Sequence, residues 1–492
     1  MRIGFYTLGC KVNQYETEAM KEKFMAAGHE VVGSIGEEQG ADVDSDGDAS
    51  DTAKEAIKGS ESEDSLLMPA DAYIINTCTV TNMADRKSRQ FIRRAKKLNP
   101  DSVIAVVGCY AQVDPDAVSK IEGVDIILGT NEKSNILEAV EKRIADKLAR
   151  LNPENNFDAD DSIYQDSSAP FIDVISRSEL YEYKSDGIIT AMESRTRAYI
   201  KIQEGCDRFC SYCIIPIARG PVRSRSEEEI IEEAKGLVGS GFKEIVLTGI
   251  NTALYGQETS ASDGARVPPI RRVLDKLSEI PGDFRIRLSS LEPNVMKAED
   301  VLSIVGAEKL CNHLHLSIQS GSDSILKAMN RHYTREEYLG IVKALKNFDP
   351  YFAITTDIIV GFPGETDEDF QDSMDLVKTA GLSRVHVFPY SPRKGTVAAD
   401  MDNQVSTEEK KRRAKQLSDV ADDVAREFHE SCRNVTTRAL FEENKGDIMT
   451  GYTDNYIRVY VDAKEEYINK LVDVELQELY GDGMKAKVIY KD

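Results

Sequence analysis

Three cysteines lie within eight residues of the sequence, at Cys206, Cys210 and Cys213. Three thiols packed so closely are typical of a metal centre. A structural zinc site usually takes two separated ligand pairs, whereas this segment contains no histidine and no second Cys-x-x-Cys pair nearby. Three thiolates fit three corners of an iron-sulfur cube and leave the fourth iron open for a substrate. A zinc knuckle or a disulfide loop is the alternative.

The spacing Cys-x-x-x-Cys-x-aromatic-Cys, with Tyr212 as the aromatic residue, resembles the signature of the radical S-adenosylmethionine enzymes. The resemblance implies that the open iron binds the amino and carboxylate groups of S-adenosylmethionine. It also implies that an electron from the cluster cleaves this cofactor to a 5′-deoxyadenosyl radical. Tyr212 is accordingly expected to contact the cofactor.

The chain has 492 residues, enough for two to four domains of ordinary globular composition. Eight cysteines in so long a chain are too few for a disulfide scaffold, which favours a reducing cytosol. The start, MRIGFYTLGC, has no signal-peptide pattern, and no apolar run approaches the ~18 residues that a membrane span needs. We therefore expect a soluble cytoplasmic protein with no membrane partner.

The net charge of −23 is concentrated in two acidic segments. Residues 37–68 hold eleven Asp or Glu against two Lys, which predicts a disordered insertion. Residues 153–187 hold nine acids against two basic residues, and the surrounding segment 152–190 is predicted to be a linker with little regular structure. By contrast, residues 86–97 hold seven basic residues and no acid. They form either a phosphate-contacting surface or a solvated helix face.

The first 150 residues alternate apolar strands with helices, which predicts a parallel sheet covered on both faces. The strands are expected at residues 3–9, 72–77, 103–108 and 125–130. Cys10, Cys78 and Cys109 directly follow the first three of these strands. Because parallel strands end at one edge of the sheet, where such folds bind ligands, the three cysteines should converge there. Any one of them taken alone could be a small buried residue.

The phrases YTLGCKVNQYE, NTCTVTN and VVGCYAQ around these cysteines resemble the amino-terminal domain of the methylthiotransferases. The resemblance implies that Cys10, Cys78 and Cys109 hold a second 4Fe-4S cluster with its own open iron. The sequence departs from the family between its first two cysteines, where the family's gap is shorter. The excess length falls in the acidic segment 37–68.

From Arg197 onward six strand-helix units follow one another, which predicts a parallel barrel-like sheet, left open because a closed barrel has eight strands. Catalytic residues in such folds lie at the carboxyl ends of the strands, as the Cys206 loop does. Hydroxyls, amides and glycines at the other strand ends are candidate cofactor contacts: Thr248, Gly249, Asn251, Ser317, Gln319 and Gly361. Each is a weak signal alone, and the residues around Gly361 could form only a turn. By resemblance they correspond to the S-adenosylmethionine pocket.

Four arginines follow strands of the predicted barrel: Arg219, Arg223, Arg225 and Arg393. They could bind substrate phosphate or a cofactor carboxylate, or they could form salt bridges within the barrel. The two remaining cysteines, Cys311 and Cys432, have no partner by spacing and are expected to be structural.

After a charged helix from about residue 406 to 430, short alternating strands separated by glycines predict a small antiparallel barrel from Thr437 to the end. Its phrase MTGYTDNYIRVYVD resembles the TRAM module, a small RNA-binding barrel. Tyr452 and Tyr456 could stack on bases or could belong to the barrel core.

The predicted fold class is α/β, with three domains. Residues 1–151 form the methylthiotransferase amino-terminal domain, an open parallel α/β sheet that carries the acidic insertion 37–68. After the acidic linker 152–190, residues 191–431 form a partial (β/α)6 radical S-adenosylmethionine barrel. Residues 432–492 form the small antiparallel TRAM-like barrel.

Two clusters with an open iron each suit the replacement of hydrogen by sulfur on an unactivated aromatic carbon. Such a carbon offers no acidic proton and no leaving group, whereas a carbon radical can react. The resemblance implies that the Cys206 cluster makes the radical and that the Cys10 cluster carries the sulfur. It further implies that one S-adenosylmethionine methylates this sulfur and that a second yields the radical. Low cluster potentials, tuned by burial and hydrogen bonding, are compatible with this reaction.

The phrases GCDRFCSYCIIPIARGPVRSR and LTGINTALYG resemble most the branch that acts on threonylcarbamoyladenosine in tRNA. Isopentenyladenosine in tRNA and an aspartate of a ribosomal protein are the alternative substrates. The expected partners are tRNA, a low-potential electron donor of flavodoxin or ferredoxin type, and a sulfur donor. Two rivals remain, namely a radical enzyme whose second cluster only relays electrons and a noncatalytic RNA-binding protein stabilised by metal.

Overall fold

The computed structural model describes residues 1–36, 68–151, 169–192, 196–258, 267–293 and 297–489. The predicted acidic insertion lies outside the described residues except for Met68, and so does the acidic linker up to residue 168. Three parts follow one another along the chain: a parallel sheet domain, a partial barrel and a small closed barrel. The predicted α/β fold class is therefore confirmed.

The amino-terminal part is a six-stranded parallel sheet. Its strands are β1 (Arg2–Thr7), β2 (Glu30–Gly36), β3 (Ala72–Thr77), β4 (Val103–Gly108), β5 (Ile126–Leu128) and β6 (Phe171–Asp173), in the order β2-β1-β3-β4-β5-β6. Its helices are α1 (Lys11–Ala26), α2 (Asn82–Leu98), α3 (Cys109–Val113), α4 (Pro115–Ser119) and α5 (Ile136–Leu151). β3 and β4 are buried along their whole length because helices cover both faces of the sheet.

Two edge strands of this sheet were not predicted. β2 pairs with β1, and β6 lies in the segment where we expected little regular structure. β6 is only three residues long, and its Phe171 and Ile172 are about half exposed, so no buried apolar run marks it in the sequence. Apart from β6 and a short 3-10 helix at Arg177–Glu179, the described end of the linker has little regular structure, as expected, and β6 completes the sheet.

The central part contains the six predicted parallel strands in a partial barrel, together with two short strands that pair with each other. Its strands are β7 (Arg197–Lys201), β8 (Gln203–Glu204), β9 (Arg223–Ser224), β10 (Glu244–Thr248), β11 (Arg285–Leu288), β12 (His313–His315), β13 (Ala353–Val360) and β14 (Arg384–Pro389). Its helices are α6 (Ile215–Arg219), α7 (Glu227–Gly239), α8 (Pro269–Ser278), α9 (Ala298–Val305), α10 (Asp323–Ala328), α11 (Arg335–Phe348), α12 (Asp367–Ala380) and α13 (Thr407–Ser431).

The partial barrel is built from two three-stranded sheets, β11-β10-β7 and β12-β13-β14. Parallel bridges between Ile286 and Leu310 and between Leu291 and Leu316 join the two sheets. The outer faces of the strands and the inner faces of the helices share one large apolar core. The inner faces of the strands therefore remain available to line a lumen.

The carboxy-terminal part is a closed barrel. Its strands are β15 (Thr436–Lys445), β16 (Ile448–Thr453), β17 (Arg458–Asp462), β18 (Leu471–Tyr480) and β19 (Gly483–Val488), in the order β15-β16-β17-β19-β18. The predicted small barrel is confirmed, although β17 and β19 pair in parallel rather than antiparallel fashion. The last turn of α13 contributes Phe428, and the residue after it, Cys432, joins the same core. Within the described ranges, no helix combines the length and apolar character that crossing a bilayer requires.

Candidate metal centres and active-site cavity

Cys10, Cys78 and Cys109 lie at the carboxyl ends of the adjacent parallel strands β1, β3 and β4. Burial, together with the neighbouring thiols of Cys109 and Cys10, raises the pKa of the Cys78 thiol to about 12. The three sulfurs are thus within electrostatic reach of one another. The structure therefore brings together the three cysteines that the strand pattern predicted to meet, and they form what we call the sheet trio.

Glycines let the strand ends pack closely beside the sheet trio. Gly9 has a φ of +117°, and a Cβ on it would lie 2.9 Å from the Cβ of Cys78 and 3.3 Å from its sulfur. Gly108, just before Cys109, has a φ of +92°, and a Cβ there would lie 2.7 Å from the carbonyl oxygen of Thr77. Both glycines are therefore required by the close approach of the strand ends.

A buried arginine connects the sheet trio to the central part. Arg219, at the end of α6, donates from Nε to the Cys109 sulfur at 3.3 Å and from Nη2 to Asn13 at 2.7 Å. Its Nη1 lies 2.8 Å from Glu16 and 2.5 Å from Glu204. Burial opposes ionisation of Glu16, but Arg219, Lys133 and Lys201 hold its pKa well below the usual range.

The other three cysteines, Cys206, Cys210 and Cys213, form the loop trio at the carboxyl end of β7. β8 and β9 pair in antiparallel fashion and close the base of this loop. Residues after α10 hold its tip, since Ser211 N–H donates to the carbonyl of Met329 at 3.0 Å and Asn330 donates to that of Phe209 at 3.0 Å. Burial, together with the thiols of Cys210 and Cys206, raises the pKa of Cys213 to about 12.

Both trios have the donor set of an iron-sulfur cube, because all of their donors are thiols. Among the described residues, no three His, Cys, Asp or Glu side chains are close enough to share one metal ion. A cube takes one thiolate per iron, so its thiols lie farther apart than the ligands of one ion do.

Tyr212, the predicted cofactor contact, packs against the barrel. Its ring lies beside the cluster that contains Phe362 and Tyr390, and its hydroxyl accepts a hydrogen bond from Arg331 at 3.0 Å. Burial raises the pKa of this hydroxyl. Arg331 in turn pairs with Glu292 at 2.7 Å, so the tyrosine is oriented by a buried charged pair.

A cavity of about 280 Å³ fills the lumen of the partial barrel. Gly9, Cys10 and Lys11 line it from the sheet domain, and Tyr456 lines it from the small barrel. The remaining lining residues are Val12, Gln14, Arg197, Tyr199, Glu244, Val246, Thr248, Gly249, Arg287, Leu288, Ser289, Ser290, His313, His315, Thr355, Asp357, His386 and Phe388. All three parts of the chain therefore meet at one cavity. A larger surface hollow of about 510 Å³ at the small barrel contains no cysteine in its lining.

The predicted cofactor contacts lie at different distances from this cavity. Thr248 and Gly249 line it, and Ser317 reaches it through a 3.0 Å hydrogen bond to Asp357. Asn251, Gln319 and Gly361 lie outside its lining. Asn251 donates to Glu292 at 2.9 Å, Gln319 has a φ of +75°, and Gly361 N–H donates to Glu365 at 2.6 Å. A role in cofactor binding stays a prediction for all six.

The inner wall of the lumen carries a polar cluster that the sequence analysis missed. His315 hydrogen-bonds Asp357 at 3.0 Å and Thr355 at 2.9 Å, and His313 hydrogen-bonds Thr355 at 3.1 Å. Although burial opposes it, His315 lowers the pKa of Asp357 to about 2. A signal did exist, because Asp357 is the one charged residue in the buried strand β13.

Charged side chains and aromatic rings close one end of the lumen. Glu244 pairs with Arg285 at 2.6 Å and with Arg287 at 2.9 Å. Tyr456 stacks on His313 with ring centroids 4.7 Å apart, and it also stacks on Tyr452. The two tyrosines thus lie at the junction with the central part rather than in the core of the small barrel, and their stacking on bases stays a prediction.

The four arginines proposed as phosphate or carboxylate ligands are instead buried and bonded within the protein. Arg223 donates to Asn131 at 3.1 Å, Arg225 pairs with Glu233, and Arg393 pairs with Asp85 of α2 at 2.6 Å. Together with the contacts of Arg219, these contacts confirm the alternative that the arginines form salt bridges within the protein. Some of these salt bridges also cross domain boundaries. Cys311 and Cys432 are buried, as expected of structural residues.

The basic segment 86–97 forms most of α2. Its apolar side chains Phe91 and Ile92 are buried against the sheet. Four of its basic residues are exposed: Arg86, Lys87, Arg93 and Lys97. They present a positively charged surface, which we call the α2 surface.

The chain matches two family models, the radical SAM superfamily over residues 200–377 and the uncharacterized protein family UPF0004 over residues 49–129. It is 38% identical to the threonylcarbamoyladenosine tRNA methylthiotransferase MtaB of Bacillus subtilis, over 99% of this chain and 97% of that protein. The MtaB of Aquifex aeolicus is 36% identical over 96% of this chain and its own full length.

Relatives with a different named activity are also similar to this chain, over a smaller part of its length. The tRNA-2-methylthio-N(6)-dimethylallyladenosine synthase of Caldicellulosiruptor saccharolyticus is 36% identical over 85% of each chain. Among solved structures, the radical S-adenosylmethionine methyltransferase TsrM from Kitasatospora setae superposes with a TM-score of 0.51 at 14% identity. The superposition covers 90% of this chain and 79% of TsrM, and it supports the fold alone.

Proposed function

Because this chain belongs to the radical S-adenosylmethionine methylthiotransferase family and is a tRNA-modifying enzyme of that family, we propose that it acts on threonylcarbamoyladenosine. The reaction transfers a methylthio group to C2 of this nucleoside, just 3′ of the tRNA anticodon. Both MtaB relatives align over at least 96% of this chain, whereas the dimethylallyladenosine synthase aligns over 85%. This difference in extent supports the threonylcarbamoyl branch.

One observation carries the proposed reaction. Cys10 of the sheet trio lines the lumen of the same barrel whose first strand leads into the loop trio. Of the six cysteines only Cys10 lines this cavity, so the proposal places the substrate beside the sheet trio and has the radical reach it from the loop that follows β7. C2 of adenine needs such an arrangement, because its hydrogen is not acidic and it bears no leaving group.

In this proposal the sheet trio and the loop trio each hold one 4Fe-4S cluster, with one open iron apiece. When bound, the loop cluster supplies the electron that cleaves S-adenosylmethionine to a radical, and the sheet cluster supplies the sulfur. The all-thiol donor sets support both assignments, and the cavity that Cys10 lines supports the open iron of the sheet cluster. The Nε–H of Arg219 aimed at Cys109 is the type of contact that tunes the potential of such a group.

The chain's own residues fix the strand ends beside the sheet trio and give the lumen an apolar side. Asn13 fixes the strand ends by donating to the carbonyls of Leu8 at 2.7 Å and Thr77 at 3.1 Å. Tyr199, Val246 and Phe388 supply the apolar side of the lumen. Apolar walls limit the contact of a carbon radical with water and so reduce side reactions.

Binding of tRNA is supported by the α2 surface, which offers cations for phosphates. The TRAM-like barrel is the second proposed contact with RNA. The reaction also requires a low-potential electron donor of flavodoxin or ferredoxin type and a sulfur donor. Eight cysteines without a disulfide support a reducing compartment, so we propose the cytoplasm.

Mass spectrometry of tRNA nucleosides, from cells with and without the gene, tests the substrate. The proposal predicts that the methylthio form of threonylcarbamoyladenosine disappears when the gene is deleted and returns when it is restored. Loss of the methylthio form of dimethylallyladenosine instead would contradict the proposed branch.

The variant Cys78→Ala tests the division of labour between the two centres. We expect it to keep producing 5′-deoxyadenosine from S-adenosylmethionine while losing methylthio transfer, because only the sheet trio is damaged. Cys311→Ala, which removes a buried cysteine outside both trios, is the matched control and should keep both activities. Normal transfer by Cys78→Ala would refute the sulfur-carrying role, and no cleavage by the wild type would favour a noncatalytic RNA-binding protein.

A further inference from the structure

Lys11 is the first residue of α1 and directly follows Cys10 of the sheet trio. We propose that its ammonium group binds the carboxylate of the threonylcarbamoyl substituent and thereby selects this substrate over neutral ones. The inference rests on the proposed function, since it concerns how the same lumen recognises its nucleoside.

The position of Lys11 places its charge inside the lumen. Lys11 is half-buried and belongs to the lining of the 280 Å³ cavity. Burial raises the pKa of Tyr199, and Lys11 is the strongest of the charges that oppose this shift. Burial lowers the pKa of His313, and Arg287, His315 and Lys11 act in the same direction. The ammonium is therefore close to two rings that face the cavity.

The carboxylates that line the lumen already have partners. Glu244 is paired with Arg285 and Arg287, and Asp357 is hydrogen-bonded to His315 at 3.0 Å. Within the part of the chain that the structure describes, Lys11 makes no ion pair or side-chain hydrogen bond. An anion that enters the cavity thus meets a cation that is not engaged by the protein.

The amino-terminal end of α1 also favours an anion in the cavity. Cys10 provides no side-chain cap to the first turn, and that turn contains no acidic residue. The positive end of the helix dipole therefore points toward the same side of the cavity as the ammonium. Both features favour a bound carboxylate.

The other walls of the cavity suit the remainder of the nucleoside. The rings of Tyr199, His313 and Tyr456 line it, and planar rings of this kind stack on a nucleobase. A purine that carries one carboxylate matches this combination of rings and a single available cation. A neutral dimethylallyl group would leave Lys11 desolvated without a partner, which disfavours it.

Binding assays with anticodon stem-loop RNA test the inference. The RNA carries threonylcarbamoyladenosine either as the free acid or as its neutral methyl ester, and the reconstituted wild-type enzyme is compared with Lys11→Gln and Lys11→Arg. We expect the wild type to bind the acid about tenfold or more tighter than the ester, since a hydrogen bond to a charged group contributes that much. Lys11→Gln should lose most of this preference and keep only the small part due to the helix terminus, whereas Lys11→Arg should still prefer the acid.

Lys235→Gln is the matched control, because it removes an exposed lysine on α7 that does not line the cavity. It should discriminate as the wild type does. Undiminished preference for the acid in Lys11→Gln would overturn the inference. If Lys11→Gln loses iron, the inference is tested by the wild-type enzyme alone, from its binding of the acid RNA and the ester RNA. Equal binding of the two RNAs by the wild type also overturns the inference.

The same RNAs separate this inference from the proposed function. If the wild type methylthiolates threonylcarbamoyl RNA but does not distinguish acid from ester, only the role of Lys11 is refuted. If the wild type modifies dimethylallyladenosine RNA and leaves threonylcarbamoyl RNA unchanged, the proposed substrate and the role of Lys11 both fail.

Discussion

At the scale of single residues, Arg219 joins the two proposed metal centres. It ends the short helix that follows the loop trio, and its guanidinium contacts Cys109 of the sheet trio. The side chain is fully buried, so its charge is balanced by Glu16 and Glu204 rather than by water. One arginine therefore contributes both to the domain interface and to the surroundings of a proposed cluster ligand.

Replacing Arg219 by Gln should destabilise the protein. The change leaves Glu16 and Glu204 buried with less compensating charge, which costs about 3 kcal/mol or more. The melting temperature of the affected domains should fall on the order of 10 °C. Arg412→Gln removes an arginine from an exposed pair with Glu409 and should have no measurable effect. Equal melting temperatures for the two variants would contradict a structural role for Arg219.

At the scale of elements, the carboxyl ends of parallel strands set the positions of both trios. β1, β3 and β4 deliver the sheet trio from positions far apart in the sequence, and β7 delivers the loop trio in one segment. Glycines at the strand ends allow the backbones to approach one another. The helices contribute differently, because α2 buries an apolar face and leaves a basic face exposed.

The α2 surface should contact tRNA phosphates. Changing Arg86, Lys87, Arg93 and Lys97 together to Gln should weaken tRNA binding at low salt. Each lost phosphate contact should also reduce the slope of log affinity against log salt by roughly 0.7–0.9. The measurement is a salt titration of the dissociation constant.

A control variant changes four exposed basic residues of α13 to Gln: Lys411, Arg412, Lys415 and Arg426. It alters the net charge by the same amount, so it accounts for nonspecific electrostatic effects. If the two variants lose affinity and salt dependence equally, the α2 surface has no specific role in binding.

The sequence predicted the elements with strong local patterns. Apolar runs located β3 and β4, and the cysteine after each strand located the sheet trio. It did not predict β6, which has no apolar pattern, nor the partners of Arg219, because Glu16 lies 203 residues away in the chain. Residue type indicated that Arg219 would bind an anion, but only the packing of domains determines which one.

At the scale of the whole molecule, three domains enclose one cavity. The barrel supplies its walls, the sheet domain supplies Cys10 and Lys11, and the small barrel supplies Tyr456. Ion pairs hold these parts together, including Arg393 with Asp85 and Arg197 with Glu442. The negative charge of the acidic segments is therefore not representative of the functional surfaces, which are neutral or basic.

The central claim is that both trios hold a 4Fe-4S cluster, and counting iron in anaerobically reconstituted protein tests it most directly. The proposal predicts about eight irons per chain in the wild type, and about four in a variant with Cys10, Cys78 and Cys109 all changed to Ala. About four irons in the wild type, unchanged in that variant, would show that the sheet trio holds no cluster and would contradict the proposed chemistry.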